Sequence, residues 1–195
     1  MCRRILLSLV LAAGSAPAGT FALLPALPGG ASPKALQMDA AGNIYLAGSL
    51  TPRNPKSSAD SSDAFVAKLS PDGLSVVYFA ILGGSGADSA VALALGADGS
   101  ATVAGLTSSS DFPVAPGALQ STLGPSFIAR LDPSGVVKYA TYLDTQAAGI
   151  ALDTGGDVFV LGSGSPGATG GEKCHQHVRR QRQRHQPRTQ SRRRQ

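Results

Sequence analysis

The residues of this chain that could carry out acid–base or nucleophilic chemistry are few and unevenly placed. The chain has 195 residues and three histidines, and all three histidines lie between residues 172 and 195. Nucleophilic catalysis by a serine needs a base beside it, most often a histidine. Residues 1–171 offer many serines but no histidine. We therefore predict a protein that is not an enzyme, with no catalytic and no cofactor-binding residues.

Aspartates are the remaining candidates for paired-carboxylate chemistry, but their positions favour a structural role. Asp39, Asp98 and Asp153 fall in equivalent hairpin turns, and Asp72 and Asp132 fall in turns that contain proline. An aspartate at such a position accepts hydrogen bonds from backbone amides of the turn. We predict that these five side chains cap turns and catalyse nothing.

Calcium binding is a further possibility because turns rich in aspartate can present oxygen ligands. The segments Asp60–Asp63 and Asp153–Asp157 each carry two aspartates. Neither has the dense alternation of acidic residues found in a dedicated calcium loop. The sequence therefore predicts no metal site in either segment, and no cofactor.

The last 24 residues differ in composition from the rest of the chain. They hold nine of the 17 Lys and Arg and only one acidic residue, Glu172, so residues 1–171 carry a charge of about −3 although the whole chain is +5. Such a polar, charged segment cannot bury apolar surface, so we expect a disordered tail over residues 172–195. Its Cys174, His175, His177 and His185 suit a soft metal but lack a fold to fix them. The arginines from Arg179 to Arg194 would attract phosphates, but no aromatic residue lies among them for base stacking, so we predict no specific nucleic-acid binding.

The N-terminal segment indicates export. Two arginines at Arg3 and Arg4 precede the short apolar run Ile5–Ala13, which is the pattern of a secretory signal. That run is too short to cross a bilayer, and we expect no transmembrane segment. We assign residues 1–31 to a signal peptide and leader. The predicted location is secreted, periplasmic or cell-surface.

An internal repeat of 57 residues organises the rest of the chain. Two glycines, Gly42 and Gly48, recur 57 residues later and again after a further 57, at Gly99 and Gly105 and at Gly156 and Gly162. A second pattern, Phe65–Gly73, returns at Phe127–Gly135. Repeats of this length are typical of stacked supersecondary units.

Each unit has the pattern of four antiparallel strands. In the second unit Ala90–Leu95 and Ser100–Gly105 form one predicted hairpin, and Phe127–Leu131 and Val136–Leu143 form the other. The alternation predicts that Phe127, Ala129 and Leu131 face one way and Ile128 and Arg130 the other, as in a half-buried strand. An all-β fold follows.

The strings Gly105–Gln120, Phe65–Gly73 and Tyr78–Gly84 together resemble the SBBP class of β-propeller repeats found in bacterial exported proteins. The resemblance covers about residues 35–165 and implies a β-propeller of four-stranded blades in an extracytoplasmic setting. It implies no active site. We divide the chain into propeller repeats over residues 32–89 and 90–146 and a partial third repeat over residues 147–171.

The third repeat breaks off where its second hairpin should follow. Shifting the codons from His177 by one nucleotide permits Phe-Val-Ala beginning at the position of Val178, so we hypothesise that the tail over residues 172–195 is a frameshift product. A ring usually needs four to eight blades, so we expect this truncated propeller to be incomplete. Its open faces and strand edges predict self-association.

The sequence thus favours a non-catalytic, extracytoplasmic propeller scaffold that binds an unknown protein or glycan. The alternatives are a frameshifted or decayed reading frame without its own function, and a propeller enzyme, a lyase or hydrolase, that lacks its other blades. Lys68 and Arg130 recur at one repeat position and Tyr78 and Tyr139 at another. We expect the cations to lie on an exposed strand face and the tyrosines to pack between blades. A repeated binding stripe is the other interpretation.

Overall fold

The computed structural model describes residues 27–51, 61–163 and 175–178, and none of these residues lies in a helix. The all-β fold is therefore confirmed. The strands, in chain order, are β1 (Ala31–Met38), β2 (Ile44–Leu50), β3 (Asp63–Leu69), β4 (Val76–Leu82), β5 (Asp88–Leu95), β6 (Ala101–Thr107), β7 (Ser126–Leu131), β8 (Val137–Leu143), β9 (Gln146–Leu152), β10 (Val158–Ser163) and β11 (His175–Val178).

The strands form antiparallel sheets that follow the chain order. The first sheet has the order β1-β2-β3-β4, and the second has the order β5-β6-β7-β8. The third sheet has three strands among the described residues, in the order β11-β10-β9. Strands β2, β6 and β10 begin at Ile44, Ala101 and Val158, each 57 residues after the last. The predicted four-stranded antiparallel units are confirmed for the first two repeats.

The first repeated glycine closes the hairpin turn of each sheet. Gly42, Gly99 and Gly156 have φ angles of 83°, 78° and 81°, in the left-handed region that residues with a Cβ rarely adopt. In each turn the glycine N–H donates to the carbonyl three residues earlier, at 2.9–3.0 Å. The 57-residue glycine period therefore marks three equivalent turns.

The second repeated glycine is required by a close approach between strands. One residue of the first strand is skipped in the pairing of each sheet, at Lys34 in β1 and Val91 in β5. A Cβ on Gly48 or Gly105, the glycine opposite this bulge, would collide with a backbone carbonyl of the bulged strand. Ala148 of β9 is skipped in the same way opposite Gly162. The bulge and the glycine recur together, which explains why no side chain occupies this position.

A phenylalanine covers the second glycine on its other side. Gly48 pairs with Phe65, and Gly105 pairs with Phe127, although the β2–β3 loop is shorter than the β6–β7 loop. In the second sheet the ring of Phe127 lies where a Cβ on Gly105 would be. The difference in loop length therefore changes the connection and leaves the strand register intact.

The second sheet is covered on both faces. Phe127, Ala129 and Leu131 belong to a core shared with the first sheet, as predicted for that face. Ile128 lies in a separate core with residues of the third sheet and is 2% exposed. The prediction of a half-buried β7 was therefore wrong at Ile128. The alternation of residue types along the strand shows which side chains share a face, but it does not show that a neighbouring sheet covers the face of Ile128 as well.

The loop between β6 and β7 folds along the outer strand of the second sheet. Ala115 N–H donates to the Ala140 carbonyl at 3.0 Å, and Tyr142 N–H donates to the Gln120 carbonyl at 3.1 Å. Phe112 of the same loop stacks on Phe127, with ring centroids 4.4 Å apart. We expected open strand edges, but β8 is shielded between Ala140 and Tyr142 because its outward backbone groups already have partners.

The tail contains one strand that the sequence did not predict. β11 pairs antiparallel with β10, from Val158 opposite Val178 to Leu161 opposite His175. Disorder was therefore the wrong expectation for these four residues. A free strand edge offers unpaired N–H and C=O groups, and a nearby extended segment can pair with them whatever its side chains. The expected disorder elsewhere in residues 172–195, and residues 1–26 of the leader, lie outside the described residues.

Gly105→Ala should destabilise the protein by about 1–3 kcal/mol, because the new methyl group would overpack against the Ser89 carbonyl and the Phe127 ring. The matched control is Gly149→Ala on β9, whose Cβ would meet only Leu161 at an ordinary 3.5 Å. Chemical denaturation followed by circular dichroism measures both. Equal midpoints for the two variants would contradict the close-approach explanation.

Candidate functional site

The strands begin and end at two edges of the stacked sheets. The short hairpin turns, such as residues 39–43 and 96–100, lie at one edge, which we call the turn edge. The β2–β3 and β6–β7 loops and the β4–β5 connection lie at the other, the loop edge. The polar residues considered below fall into one group at each edge.

The turn aspartates cap backbone amides, as predicted. Asp39 Oδ1 accepts hydrogen bonds from the N–H groups of Ala41 and Asn43, at 3.0 and 2.9 Å. Asp132 Oδ1 accepts from the N–H groups of Ser134 and Val136, at 2.9 and 3.0 Å. Asp72, Asp98 and Asp153 make equivalent bonds to amides of their own turns.

Hydrogen bonds within the turns lower the pKa of several of these carboxyls. The Asn43 side chain lowers the pKa of Asp39, and the Ser134 hydroxyl and the Val136 N–H lower that of Asp132. The pKa values of Asp72 and Asp98 are lowered by the hydroxyls of Ser70 and Ser100. These carboxylates stay ionised and bonded to their own turns at neutral pH.

The two repeated cations bind the turn aspartates of their own sheets. Lys68 Nζ lies 3.8 Å from Asp39 Oδ2 and 5.0 Å from the centre of the Tyr45 ring. Arg130 donates to Asp98 Oδ2 at 2.8 Å. We expected these cations on an exposed face, but their side chains are only 15% and 22% exposed, because each reaches across its sheet to the turn.

The two repeated tyrosines have different surroundings. Tyr78 packs between the sheets, as predicted: a Cβ on Gly135 of the second sheet would collide with its ring. Burial raises the pKa of Tyr78. Tyr139 instead accepts a hydrogen bond at 3.1 Å from the N–H of Leu119, in the loop that lies along its own sheet. Tyr78 is covered by the second hairpin turn of the next sheet, at Gly135. The described part of the third sheet contains no second hairpin turn that could cover Tyr139 in the same way.

The segments considered for calcium are only partly described. Asp63 is buried at the start of β3, whereas Asp60 lies outside the described residues. Asp153 accepts a hydrogen bond from the Asp157 N–H at 2.8 Å, so this pair forms a turn. Across residues 27–51, 61–163 and 175–178, no three His, Cys, Asp or Glu side chains converge in a way that could hold a metal ion.

A buried acidic group of the loop edge that the sequence did not predict is Asp88. It is 1% exposed at the start of β5, and its Oδ2 accepts from the Gly84 N–H at 3.0 Å and the Ser109 hydroxyl at 2.7 Å. Burial raises the pKa of Asp88, and the nearby Asp63 charge raises it further. Hydrogen bonds from Ser109, Thr107 and Gly84 oppose this shift and lower the pKa. The only available signal was an aspartate after Gly83–Gly86 that begins an apolar strand.

Asp88 has a second carboxylate beside it and one oxygen without a partner. A Cβ on Gly83 would collide with Asp63 Oδ1 and lie 2.9 Å from Asp88 Oδ2, so both carboxylates face one small volume. Asp88 Oδ1 is buried and has no hydrogen-bond partner of good geometry among the described residues. Two carboxylates next to a glycine, at the junction of two sheets, form the candidate site.

The rim of this site is formed by hydroxyl groups and one exposed carboxylate. Asp111 Oδ1 accepts from the N–H and the hydroxyl of Ser85, at 2.7 and 2.9 Å. The Tyr142 hydroxyl donates to the Ser109 carbonyl at 2.6 Å and accepts from the Phe112 N–H at 3.0 Å. Burial raises the pKa of Tyr142, and the charges of Asp111 and Asp88 add to the shift.

The sites considered in the tail are not described beyond one strand. The described residues do not include Cys174, His185 or the arginines from Arg179 to Arg194. They also do not include the residues after Val178 for which we hypothesise a frameshift. No helix in the described part of the chain is long and apolar enough to cross a membrane.

Comparison with protein-family models and with curated proteins returns no match for this chain. The resemblance to SBBP repeats therefore stays a prediction from the sequence.

Stability should fall in acid because the turn carboxyls have lowered pKa values. A carboxyl whose pKa is lower in the folded state stabilises it fully above its unfolded pKa of about 3.9, and this contribution is lost as pH falls through the folded pKa. We expect a melting temperature that is nearly constant from about pH 5 to 7 and falls below about pH 4. Thermal melts across this range measure it.

Asp132→Asn should make this acid dependence less steep, because the amide keeps an acceptor for the turn but cannot ionise. Asp144→Asn is the control, since it removes the same charge from an exposed position at the loop edge. A profile for Asp132→Asn that is as steep as that of the unmodified protein would contradict the assignment.

Proposed function

We propose that the chain is a non-catalytic, extracytoplasmic scaffold whose sheets are the blades of an incomplete SBBP-type β-propeller, and that it binds a protein or glycan. The main support is the way the sheets meet. β5 contacts β1, β2 and β3, and β9 contacts β5, β6 and β7. The sheets thus converge on the side of their first strands, as blades do around an axis.

Exposed aliphatic side chains at repeated positions support a binding role. Leu74 and Val136 each follow the glycine of the second hairpin turn of their sheets, Gly73 and Gly135, and are 67% and 51% exposed. Val76 and Val137, which pair with Leu69 and Leu131 at the starts of β4 and β8, are also exposed. We call Leu74, Val76, Val136 and Val137 the outer aliphatic stripe. Exposed apolar side chains that recur at the same hairpin of successive sheets support an interaction surface, because large exposed apolar patches on soluble proteins often mark interaction sites.

The chemistry of the stripe favours a protein partner over a glycan. Its four side chains are aliphatic, and they offer the dehydrated contact that protein interfaces bury. A glycan site would be expected to present aromatic rings and hydrogen-bonding groups. The polar groups of the neighbouring turns, such as Asp132 and Ser134, are already bonded to one another.

The test is binding to arrays of extracellular proteins and of printed glycans, with chromogenic esters, glycosides and polyuronates as a check for turnover. We expect a protein ligand whose affinity falls at least tenfold when Leu74→Ser and Val136→Ser are combined, because the ligand would lose buried apolar area at both ends of the stripe. The control is Leu36→Ser, which changes an exposed leucine of β1 away from the stripe.

Two results would contradict the proposal. Turnover of any substrate above the uncatalysed rate would show an enzyme. Unchanged affinity of the doubly substituted protein would show that the ligand contacts another part of the surface and not the stripe.

A further inference from the structure

The first sheet turns one face to the second sheet and the other face away from it. Tyr45, Ala47 and Val66 belong to the core shared with the second sheet. The residues that alternate with them along β2 and β3 form a separate core, which we call the first-sheet core: Ile44, Leu46, Leu50, Phe65, Ala67 and Leu69. Among the described residues, the second and third sheets contribute nothing to it. The stacking of the sheets therefore does not explain how this face is covered.

The first-sheet core is nevertheless shielded from solvent. Phe65, Ala67 and Leu69 are 0% exposed, and Leu46 is 3% exposed. A sheet is a single layer, so the side chains of one face stay in contact with water unless another element lies over them. Some other part of the chain must therefore lie over β2 and β3.

The cover is narrow. Leu36 and Met38 of β1 share the face of the first-sheet core, because they pair with Leu46 and Ile44, yet they are 54% and 57% exposed. Ile81 of β4 lies on the same face and is 44% exposed. Neighbouring strands are about 4.8 Å apart, so a cover limited to the two central strands is about 10 Å wide. A single stretch of chain fits this width, whereas a neighbouring sheet would also cover β1 and β4.

The chain reaches this face from its N-terminal side. Leu27 and Ala31 pack against the first-sheet core. Ala31 pairs with Leu50, so the chain arrives at the loop edge of the sheet. The six residues before Leu27 are Phe-Ala-Leu-Leu-Pro-Ala, all of them apolar. They are adjacent in the chain to a residue that already contacts this core.

The apolar segment is long enough to cover β2. The seven residues from Phe21 to Leu27 can extend to about 23–25 Å. The distance along β2 from Leu50 to Ile44 is about 20 Å at the usual rise of a strand. An extended segment that starts at the loop edge therefore reaches the turn edge.

The loop between β2 and β3 is a less suitable cover. In the second sheet the equivalent loop supplies Phe112, which stacks on Phe127. The first sheet has no such residue, because the largest apolar side chains of residues 51–62 are two prolines. Phe65 stacks instead on Phe79 of its own sheet, with ring centroids 5.1 Å apart. The polar composition of this loop does not match an apolar face.

We propose that the segment Phe21–Leu27 covers the first-sheet core and takes the place of a neighbouring sheet on that side. The segment is then part of the folded protein. If the chain is exported, removal of the signal must leave Phe21 in place, and the small residues Ala16 and Ala18 offer a cleavage position before it. The cover would also block self-association through this face. This inference does not depend on the proposed function.

The first experiment measures the melting temperature of the full chain with Phe21→Ser, Leu23→Ser and Leu24→Ser combined. We expect a fall of at least about 6 °C, because three side chains would lose their burial against the first-sheet core.

The matched control combines Leu6→Ser, Leu7→Ser and Leu9→Ser. It removes three apolar side chains from the earlier run Ile5–Ala13, which the proposal leaves out of the cover. We expect its melting temperature to equal that of the unmodified chain.

The second experiment uses the unmodified protein, so it does not depend on how the variants fold. We expect nuclear Overhauser effects between the side chains of the first-sheet core, such as the Leu46 methyl groups and the Phe65 ring, and the methyl groups of Leu23 or Leu24. These contacts distinguish the N-terminal segment from every other cover.

Two results would overturn the proposal. One is a melting temperature of the first variant that is as high as that of the control. The other is a set of Overhauser contacts that joins the first-sheet core to residues 52–60 or 164–174 and not to residues 21–26. Either would show that another segment covers this face.

Discussion

The structure depends on sheets that cover one another's faces. A four-stranded sheet of small apolar residues has no core of its own, and each of its faces needs a partner. The second sheet obtains one partner on each side, with Val103 and Phe127 turned to the first sheet and Ala104 and Ile128 turned to the third. The other repeated features serve this stacking. Glycines at the bulges allow the strands to approach closely. Short turns of the same form place the strands of successive sheets at the same 57-residue interval.

The polar groups divide between the two edges of the stack according to their surroundings. At the turn edge the carboxylates are bonded within their own turns, and three of them also meet a cation. At the loop edge Asp63 and Asp88 are buried where two sheets join. The turn aspartates fix local geometry within one sheet, whereas Asp63 and Asp88 belong to two different sheets.

The sequence predicted most of the features that repeat and few of those that depend on contacts between repeats. Gly42 and Gly48 recur with their turns and strands because backbone conformation and close approach are local requirements. The burial of Ile128 and the pairing of Asp63 with Asp88 bring together residues from different sheets, and no spacing in the chain encodes that placement. Within one sheet, the partner of Lys68 was not predicted either, because Asp39 lies across the sheet from it. The strand β11 was not predicted because it pairs through backbone groups, which no side-chain pattern shows.

The contact between Tyr78 and Gly135 tests the stacking most directly, because it joins equivalent hairpins of two successive sheets. A nuclear Overhauser effect between the Tyr78 ring protons and the Gly135 α-protons is expected, since the ring occupies the place that a Cβ on Gly135 would take. Its absence, with both residues assigned and the two sheets folded, would contradict face-to-face packing of the repeats.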